Sequence, residues 1–257
     1  MKKILFILFS IFGWMALLGQ VNNIKSGEFL KYRIHYGPLN AGYATLNVTE
    51  TNYKGSPHFY VKGNGYTTGA VKAFFKVEDV YESFINISTG LPSFYVRNVR
   101  EGSYRQHLET VFNHDQQTLI LTDKKTPANG SKTIKTVVGV QDMLSAFYYL
   151  RSQAPEDLKI GRVLKMNIWI DDELFPFQLR VAGTEVKKTK FGKVACLKII
   201  PSVMSGRVFK DKEGVTMWVT NDANHIPVEI KAELAVGSLK ASLDQYQNVK
   251  YPLNFKK

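Results

Sequence analysis

The side chains that most often do chemistry in proteins are sparse and scattered in this sequence. The five histidines lie far apart, and no two of them have metal-ligand spacing with a third ligand: His35, His58, His107, His114 and His225. The sequence has no glycine-rich phosphate loop, no Gly-x-Ser-x-Gly elbow and no His-Glu-x-x-His helix. We therefore predict no catalytic residue, no metal site and no cofactor.

The other reactive groups have ordinary structural explanations. Asp171, Asp172 and Glu173 are adjacent and could suggest metal binding, but neighbouring strand residues point to opposite faces, and these three lie at a predicted hairpin tip. Cys196 lies within a predicted strand, where a lone cysteine is typically a small packing residue. A single cysteine also excludes an internal disulfide and zinc sites built from two or more thiolates.

Composition narrows the class of protein and of partner. The chain has 257 residues, 44% of them hydrophobic, and a formal net charge of +12. This profile excludes a disordered polymer, a collagen-like repeat and a multi-span membrane protein. The positive charge favours an anionic partner such as a membrane surface, although it could also serve solubility alone. No nucleic-acid motif is present, so we predict no nucleic-acid partner.

The N-terminal segment 1–20 has the pattern of an export signal. Lys2 and Lys3 precede an uncharged apolar run at 4–18, which is shorter than the roughly 20 residues of a transmembrane helix. Small residues near Gly19 offer a cleavage point, and no cysteine is there to accept a lipid. A cleaved signal peptide is favoured over a retained anchor. We expect a soluble periplasmic protein that has no membrane span after cleavage and is not a lipoprotein.

Alternation of apolar and polar residues dominates the rest of the chain and predicts antiparallel strands. Leu30, Tyr32 and Ile34 share one face of the first strand, and later runs repeat the pattern. The strands form an N-terminal set at 28–137 and a C-terminal set at 160–250. We predict a mainly β fold, a curved antiparallel sheet or open half-barrel, as a single domain over 21–257.

One segment, 140–153, has helical spacing instead, with apolar residues at 140, 143, 144 and 147 and Pro155 beyond its end. An amphipathic helix here would form a plug or lid over the sheet. Asp142 at its start and Arg151 near its end suit the helix dipole and need no ligand to explain them. Tyr148 and Tyr149 could contact core on one side and a cavity on the other.

Two tryptophans are further candidates for a binding surface. Trp169 and Trp218 alternate with the apolar residues of their strands, which places them on the more polar faces. We therefore expect them to be accessible. In a curved, incompletely closed sheet, large aromatic residues can line a groove for an acyl chain or an apolar peptide.

Three segments resemble an exported bacterial family, domain of unknown function 3108. They are Gly27–Gly37 with Ala41–Leu46, the helix segment Gln141–Arg151, and Trp218–Asp222 with Ile226–Glu229. The resemblance covers most of the chain and implies no catalytic residue. The C-terminal pattern is also distantly similar to periplasmic half-barrels such as the lipoprotein carrier LolA and its receptor LolB. That similarity implies an acyl chain held in a concave apolar face covered by helices.

The leading hypothesis is a non-enzymatic periplasmic binding protein for an apolar or amphiphilic envelope component, such as a lipid or lipidated molecule. Its predicted site consists of Tyr148, Tyr149, Trp169, Trp218, Asp142 and Arg151. One alternative is a hydrolase or transferase acting on envelope glycans, with Asp142 and a histidine or turn carboxylate as catalytic groups. Another is a structural partner in an envelope complex that docks through an exposed strand edge. No particular protein partner is indicated.

Overall fold

A computed structural model describes residues 23–203 and 214–257, and the predicted export signal at 1–20 lies outside them. The described residues form 14 strands and two α-helices. The strands of the first half are β1 Phe29–Tyr36, β2 Leu39–Tyr53, β3 Ser56–Thr67, β4 Glu78–Asn86, β5 Pro92–Glu101, β6 Tyr104–Asn113, β7 Thr118–Asp123 and β8 Ser131–Lys135. Those of the second half are β9 Val163–Ile170, β10 Glu173–Thr189, β11 Gly192–Val203, β12 Val215–Thr220, β13 Pro227–Glu233 and β14 Ser238–Gln247. The helices are α1 Gly69–Phe74 and α2 Met143–Arg151, with 3₁₀ turns at Pro127–Asn129 and Pro155–Leu158.

All 14 strands belong to one antiparallel sheet, in the order β8-β7-β6-β5-β4-β3-β2-β1-β14-β13-β12-β11-β10-β9. The first and last strands are therefore neighbours at its centre, and β8 and β9 are its edges. Alternation gives β1 one buried face: Leu30 and Tyr32 are buried, whereas Lys31 between them and Arg33 and His35 beyond them are half-exposed. The predicted mainly β fold with one curved antiparallel sheet is confirmed.

The edge strands β8 and β9 are not hydrogen-bonded to each other, but the segment after β8 and a cluster of side chains bring the two ends of the sheet together. Gln141, between β8 and α2, makes two backbone hydrogen bonds to β9: its N–H donates to Asn167 (2.8 Å) and its carbonyl accepts from Trp169 (2.7 Å). The Trp169 ring packs in one cluster with Tyr95 of β5 and Leu119 of β7. The sheet thus curls until β5–β7 face β9, without a continuous ladder of hydrogen bonds.

Helix α2 lies within the concave side of this sheet. Ala146 and Leu150 pack with side chains of β9–β12, whereas Leu144 and Tyr148 pack with β2, β3 and β4. A helix with apolar contacts on two sides is enclosed rather than laid on a surface. The helix predicted at 140–153 is confirmed, with its ordered turns at Met143–Arg151, and it plugs the half-barrel.

The strand connections lie at two opposite ends of the sheet. One end, here called the α1 rim, carries the connections 37–38, 68–77, 102–103, 171–172 and 234–237. The connections 54–55, 114–117, 190–191 and 221–226 lie at the opposite rim. No residue of α1 is buried, and the backbone at its start is tied to β2 by a hydrogen bond from Thr68 N–H to the Ala41 carbonyl (3.0 Å).

The long β10–β11 hairpin bends at an irregularity near Gly183, and its far half folds over the outer face of β12–β14. Lys187 contacts Glu229 of β13 at 3.0 Å, and Lys190 contacts Asp244 of β14 at 2.8 Å. This part of the sheet is therefore covered on both sides, by α2 within and by the hairpin outside. No helix among the described residues is long and apolar enough to cross a membrane.

Candidate functional site

A cavity of about 330 Å³ lies between α2 and the strands β9, β10 and β12. Within the part of the chain that the structure describes, every side chain that lines it is apolar: Met143, Ala146, Phe147, Leu150, Met166, Ile168, Ile170, Phe175, Phe177, Leu179 and Met217. No ionisable or hydroxyl-bearing side chain is among them. This lining can therefore exclude water and accept an apolar group, and the described residues in it supply no nucleophile, acid or base.

The lining follows directly from two periodicities in the sequence. Met166, Ile168 and Ile170 are alternate residues of β9, and they pair across the ladder with alternate residues of β10, so that Ile168 lies opposite Phe175 and Met166 opposite Phe177. On the helix, Met143, Ala146, Phe147 and Leu150 have the i, i+3, i+4, i+7 spacing of one face. The cavity is the space between these two faces.

Ala146 is the reason that this space is not filled. It is buried in the middle of the helical face, among larger side chains from the strands. Protein interiors are normally packed with few voids larger than a water molecule. A methyl side chain opposite Met166 and Leu179 leaves a gap that a larger residue at 146 would close.

The cavity reaches the surface towards the α1 rim. Met143 is 40% exposed, and Ile170, Phe177 and Met217 are half-buried. Ile170 is the last residue of β9, and Met217 is the third residue of β12, so both lie near the rim end of their strands. An apolar group could enter from this end without crossing the sheet.

At the other end of α2, a buried ion pair fixes the helix. The guanidinium of Arg151 donates to both carboxylate oxygens of Glu28, at 2.6 and 2.8 Å, and its Nε donates to the carbonyl of Asn224 at 3.1 Å. Both charged side chains are fully buried. Burial lowers the pKa of Arg151, but the hydrogen bonds and charge of Glu28 outweigh it and leave the pKa raised. Burial raises the pKa of the neighbouring Tyr148, whose hydroxyl donates to Glu28 at 3.4 Å.

Asp142 caps the start of α2. Its carboxylate accepts the backbone N–H groups of Leu144 and Ser145 at 2.8 and 2.7 Å, and the Ser83 hydroxyl at 2.6 Å. The Ser145 hydroxyl in return accepts the N–H of Asp142, which completes a capping box. Burial raises the pKa of Asp142 to about 6, although the hydrogen bonds that it accepts lower it.

The six residues predicted for the site are not among those that line the cavity. Asp142, Tyr148 and Arg151 are fully buried in the contacts just described, and Tyr149 is half-buried against the cluster that contains Ala146 and Leu150. These four residues belong to α2 or its cap and so hold the helix that forms one wall of the cavity.

The expectation that Trp169 and Trp218 are accessible is wrong. Trp169 is 2% exposed because the curled sheet brings β5 and β7 against it. Trp218 is 8% exposed because the far half of the β10–β11 hairpin covers it. Its indole N–H donates to Glu185 at 2.7 Å, and the Lys187 ammonium lies 3.9 Å from the ring centroid.

Sequence reasoning missed the residues that do line the cavity. Ile168, Ile170, Phe175 and Phe177 were recognisable as buried strand faces but not as the wall of a cavity. The only local signal is Ala146, a small residue at the centre of an otherwise bulky helical face. It becomes informative only when the opposite wall is known.

A second depression, of about 410 Å³, is polar and lies on the outer face of β1, β13 and β14 beneath the hairpin tip. We call it the basic groove; five cationic side chains line it, namely Arg33, Lys187, Lys188, Lys190 and Lys240. Glu229 and Asp244 are its two acidic residues, and each bonds to more than one of these cations. No three His, Cys, Asp or Glu side chains of the described residues are grouped to hold a metal ion.

Comparison with solved structures supports the fold. The chain is similar to a beta-barrel-like protein of the domain of unknown function DUF1849 from Brucella abortus, with a TM-score of 0.57 and 10% identity over 87% of this chain and 98% of that one. A candidate lipoprotein from Parabacteroides distasonis aligns with a TM-score of 0.34 and 10% identity, over 89% and 99% of the two chains. At 10% identity the first likeness concerns the fold alone, and the second, at a TM-score of 0.34, supports no conclusion.

Comparison with curated proteins gives no significant match. The family described as "Protein of unknown function (DUF3108)" matches residues 31–244, a span from β1 to β14 that includes α2 and both walls of the cavity. The chain therefore belongs to the DUF3108 family.

Proposed function

We propose that this protein is a non-enzymatic, exported binding protein that holds an apolar chain of an amphiphilic envelope component, such as a lipid, in the cavity beside α2. The observation that carries the proposal is the lining of that cavity, which is apolar at each of its described residues and opens towards one rim. The N-terminal pattern of an export signal and the net charge of +12 support a periplasmic location and an anionic ligand.

The size of the cavity points to one alkyl chain rather than a whole lipid. A volume of about 330 Å³ is at the lower end of the roughly 300–1,000 Å³ of ligand pockets. A polar headgroup would find no side-chain hydrogen-bond partner among the described lining residues, and burying it there would cost free energy. The headgroup of the ligand should therefore remain at the mouth, beside Met143 and Ile170.

The contacts of Asp142 weigh against the enzymatic alternative. Its carboxylate is fully buried and accepts hydrogen bonds from the Ser83 hydroxyl and from the backbone at the start of α2. A general acid or base must come within hydrogen-bond reach of a substrate. Asp142 is occupied in capping a helix, which is the structural role that its position in the sequence suggests.

The proposal is tested by titrating the purified protein with a fluorescent fatty acid and then displacing the probe with saturated fatty acids of increasing length. The protein is taken from the periplasmic fraction of a Gram-negative host that expresses the full chain. Each methylene buried contributes about 0.8 kcal/mol, so affinity should rise about fourfold per methylene until the chain fills the cavity, and then level off.

The decisive variant is Ala146→Phe, which fills the space from the helix side. We expect its affinity for the probe to fall at least about tenfold, the loss expected when two methylenes no longer fit. Ala128→Phe makes the same change on the exposed 3₁₀ turn and should bind as the wild type does. Equal binding by both variants, with unchanged unfolding curves, would place the ligand elsewhere. Absence of binding by the wild type would reject the proposed function.

A further inference from the structure

The α1 rim exposes large apolar side chains that the fold does not use. Phe74 is 91% exposed, Val236 76%, Leu39 57% and Phe75 52%. Tyr36 and Leu239 beside them are also exposed. We call these six residues the rim patch. Single exposed apolar residues are ordinary, but a contiguous group of them marks an interaction surface.

The members of the rim patch are brought together by neighbouring strands. Leu39 opens β2, against which α1 with Phe74 packs, and Tyr36 closes β1 directly opposite Leu39. On the other side of β1, Tyr36 pairs with Leu239 of β14, and its hydroxyl donates to the carbonyl of Val236 at 3.0 Å. The patch therefore runs along five consecutive strands, β3-β2-β1-β14-β13.

The rim patch is held in place rather than loosely exposed. The N–H of Phe75 donates to the Val71 carbonyl at 2.8 Å, and the Phe75 ring lies against Gly102, where a Cβ atom would come within 2.8 Å of it. At the other end, the N–H of Gly37 donates to the Ser238 carbonyl at 3.2 Å. The backbone at both ends of the patch is thus already ordered, so binding would cost little backbone conformational entropy there.

Positive charge lies next to the rim patch. Lys72 is exposed on α1, and the basic groove begins with His35 and Lys240, the direct chain neighbours of Tyr36 and Leu239. The groove holds five Lys and Arg side chains against Glu229 and Asp244. Burial, with Arg33 and Lys240 nearby, lowers the pKa of His35, so this charge comes from Lys and Arg. Apolar side chains bordered by cations suit the interface of an anionic lipid bilayer.

We propose that the α1 rim is a docking surface for an anionic lipid bilayer. The side chains of the rim patch enter the headgroup boundary, and the cations nearest to them, Lys72 and Lys240 at the rim end of the basic groove, meet lipid phosphates. The mouth of the apolar cavity lies at the same rim, near Ile170, so that docking would place it against the membrane. This inference goes beyond the proposed function and does not need it, because a protein with an empty cavity could still dock.

The test is flotation of the purified protein with vesicles of phosphatidylcholine alone or mixed with phosphatidylglycerol, at low and at high salt. The protein is again expressed as the full chain and purified from the periplasmic fraction. The wild type should bind the phosphatidylglycerol vesicles more strongly, and salt should weaken binding. The variant Phe74→Ser with Val236→Ser should bind at least about tenfold more weakly, since it removes the two most exposed apolar side chains of the rim patch from the headgroup boundary.

The matched control is Val138→Ser with Ile160→Ser. These residues are 70% and 63% exposed and lie towards the opposite rim. The control should bind vesicles as the wild type does. The inference would be overturned if both double variants lost vesicle binding equally, if Phe74→Ser with Val236→Ser bound as well as the wild type, or if the wild type showed no preference for phosphatidylglycerol. Self-association that Phe74→Ser with Val236→Ser abolishes, without vesicle binding, would identify a second copy as the occupant and also overturn it. The Ala146→Phe variant should dock normally, which separates this result from that of the cavity.

Discussion

The buried pair of Glu28 and Arg151 joins the start of β1 to the end of α2, and its removal should show how the plug is anchored. Both side chains are fully buried, and two short hydrogen bonds join them. We consider three variants: Glu28→Met, Arg151→Met and the double variant. Methionine is apolar and unbranched, so it occupies similar space with little strain.

The two single variants should be strongly destabilised. Each leaves one charge buried without its partner, which typically costs about 3–5 kcal/mol of unfolding free energy. For a protein of this size that corresponds to a fall in Tm of about 6–20 °C. The double variant leaves no buried charge. It leaves two buried polar groups without a partner, the Asn224 carbonyl, which loses the Arg151 Nε donor, and the Tyr148 hydroxyl, which loses Glu28 as its acceptor, at about 1–3 kcal/mol each.

The measurement is urea unfolding of the wild type and the three variants, monitored by tryptophan fluorescence. The four free energies of unfolding are compared as a double-mutant cycle. The double variant should be more stable than either single variant. An exposed pair, Arg162 and Asp157 at 3.4 Å, serves as the control, and its removal should cost less than about 1 kcal/mol. If the losses of the two single variants simply add in the double variant, the two charges are not coupled and the reasoning is refuted. The double variant decides the matter even where a single variant is too unstable to purify.

Two further predictions follow from individual buried groups. Burial raises the pKa of Asp142 to about 6 from an ordinary 3.8, so between these values the folded state retains a proton that the unfolded state loses. The free energy of unfolding should therefore fall by about 3 kcal/mol as the pH rises through this window. Urea unfolding of Asp142→Asn from about pH 4 to about pH 7 should lack this fall, and identical pH profiles of variant and wild type would contradict the prediction. Burial raises the pKa of Cys196 to about 12, and its side chain is inaccessible. Near pH 8, an aromatic disulfide reagent should therefore not react with the folded protein, whereas it should modify one thiol per chain in the urea-unfolded protein. Rapid reaction of the folded protein would contradict the burial of Cys196.

The strands and α2 were predictable because their signals are local. Leu30, Tyr32 and Ile34 alternate within one strand, and Asp142 stands where a helix needs an acceptor for its first N–H groups. The predicted helix at 140–153 includes the cap and the turn after it, so the observed helix is three residues shorter at its start and two at its end. Such differences concern how helix ends are assigned rather than which segment is helical.

The surroundings of the two tryptophans were not predictable because they depend on contacts between distant parts of the chain. Alternation correctly places Trp218 on the face of β12 opposite Val219, but not the hairpin that returns to cover that face. The indole of Trp218 is satisfied by Glu185, 33 positions away, and Trp169 is buried by strands from the other half of the sheet. The polar character of a strand face indicates exposure only where no second layer lies upon it.

The cavity depends on an even less local property, namely the difference in volume between two packed faces. The apolar residues of β9 and β10 and those of α2 each read as ordinary core. Only in the folded chain do the helix face and the strand faces stand far enough apart, with the small Ala146 between them, to leave a space that no side chain fills. A sequence specifies which residues are buried more directly than it specifies how completely they fill the interior.

The position of β1 beside β14 has a consequence for how the chain assembles. Arg33 of β1 bonds to Asp244 of β14, 211 positions later. As the chain emerges from its N-terminus, β1–β8 can pair in sequence as successive hairpins, but the second edge of β1 stays open until the last strand arrives. Open strand edges are templates for aggregation, and long-range pairing of this kind is slow. The unpaired edge strand β1 carries three cationic or polar side chains, those of Lys31, Arg33 and His35. They discourage pairing with another chain until β14 is available.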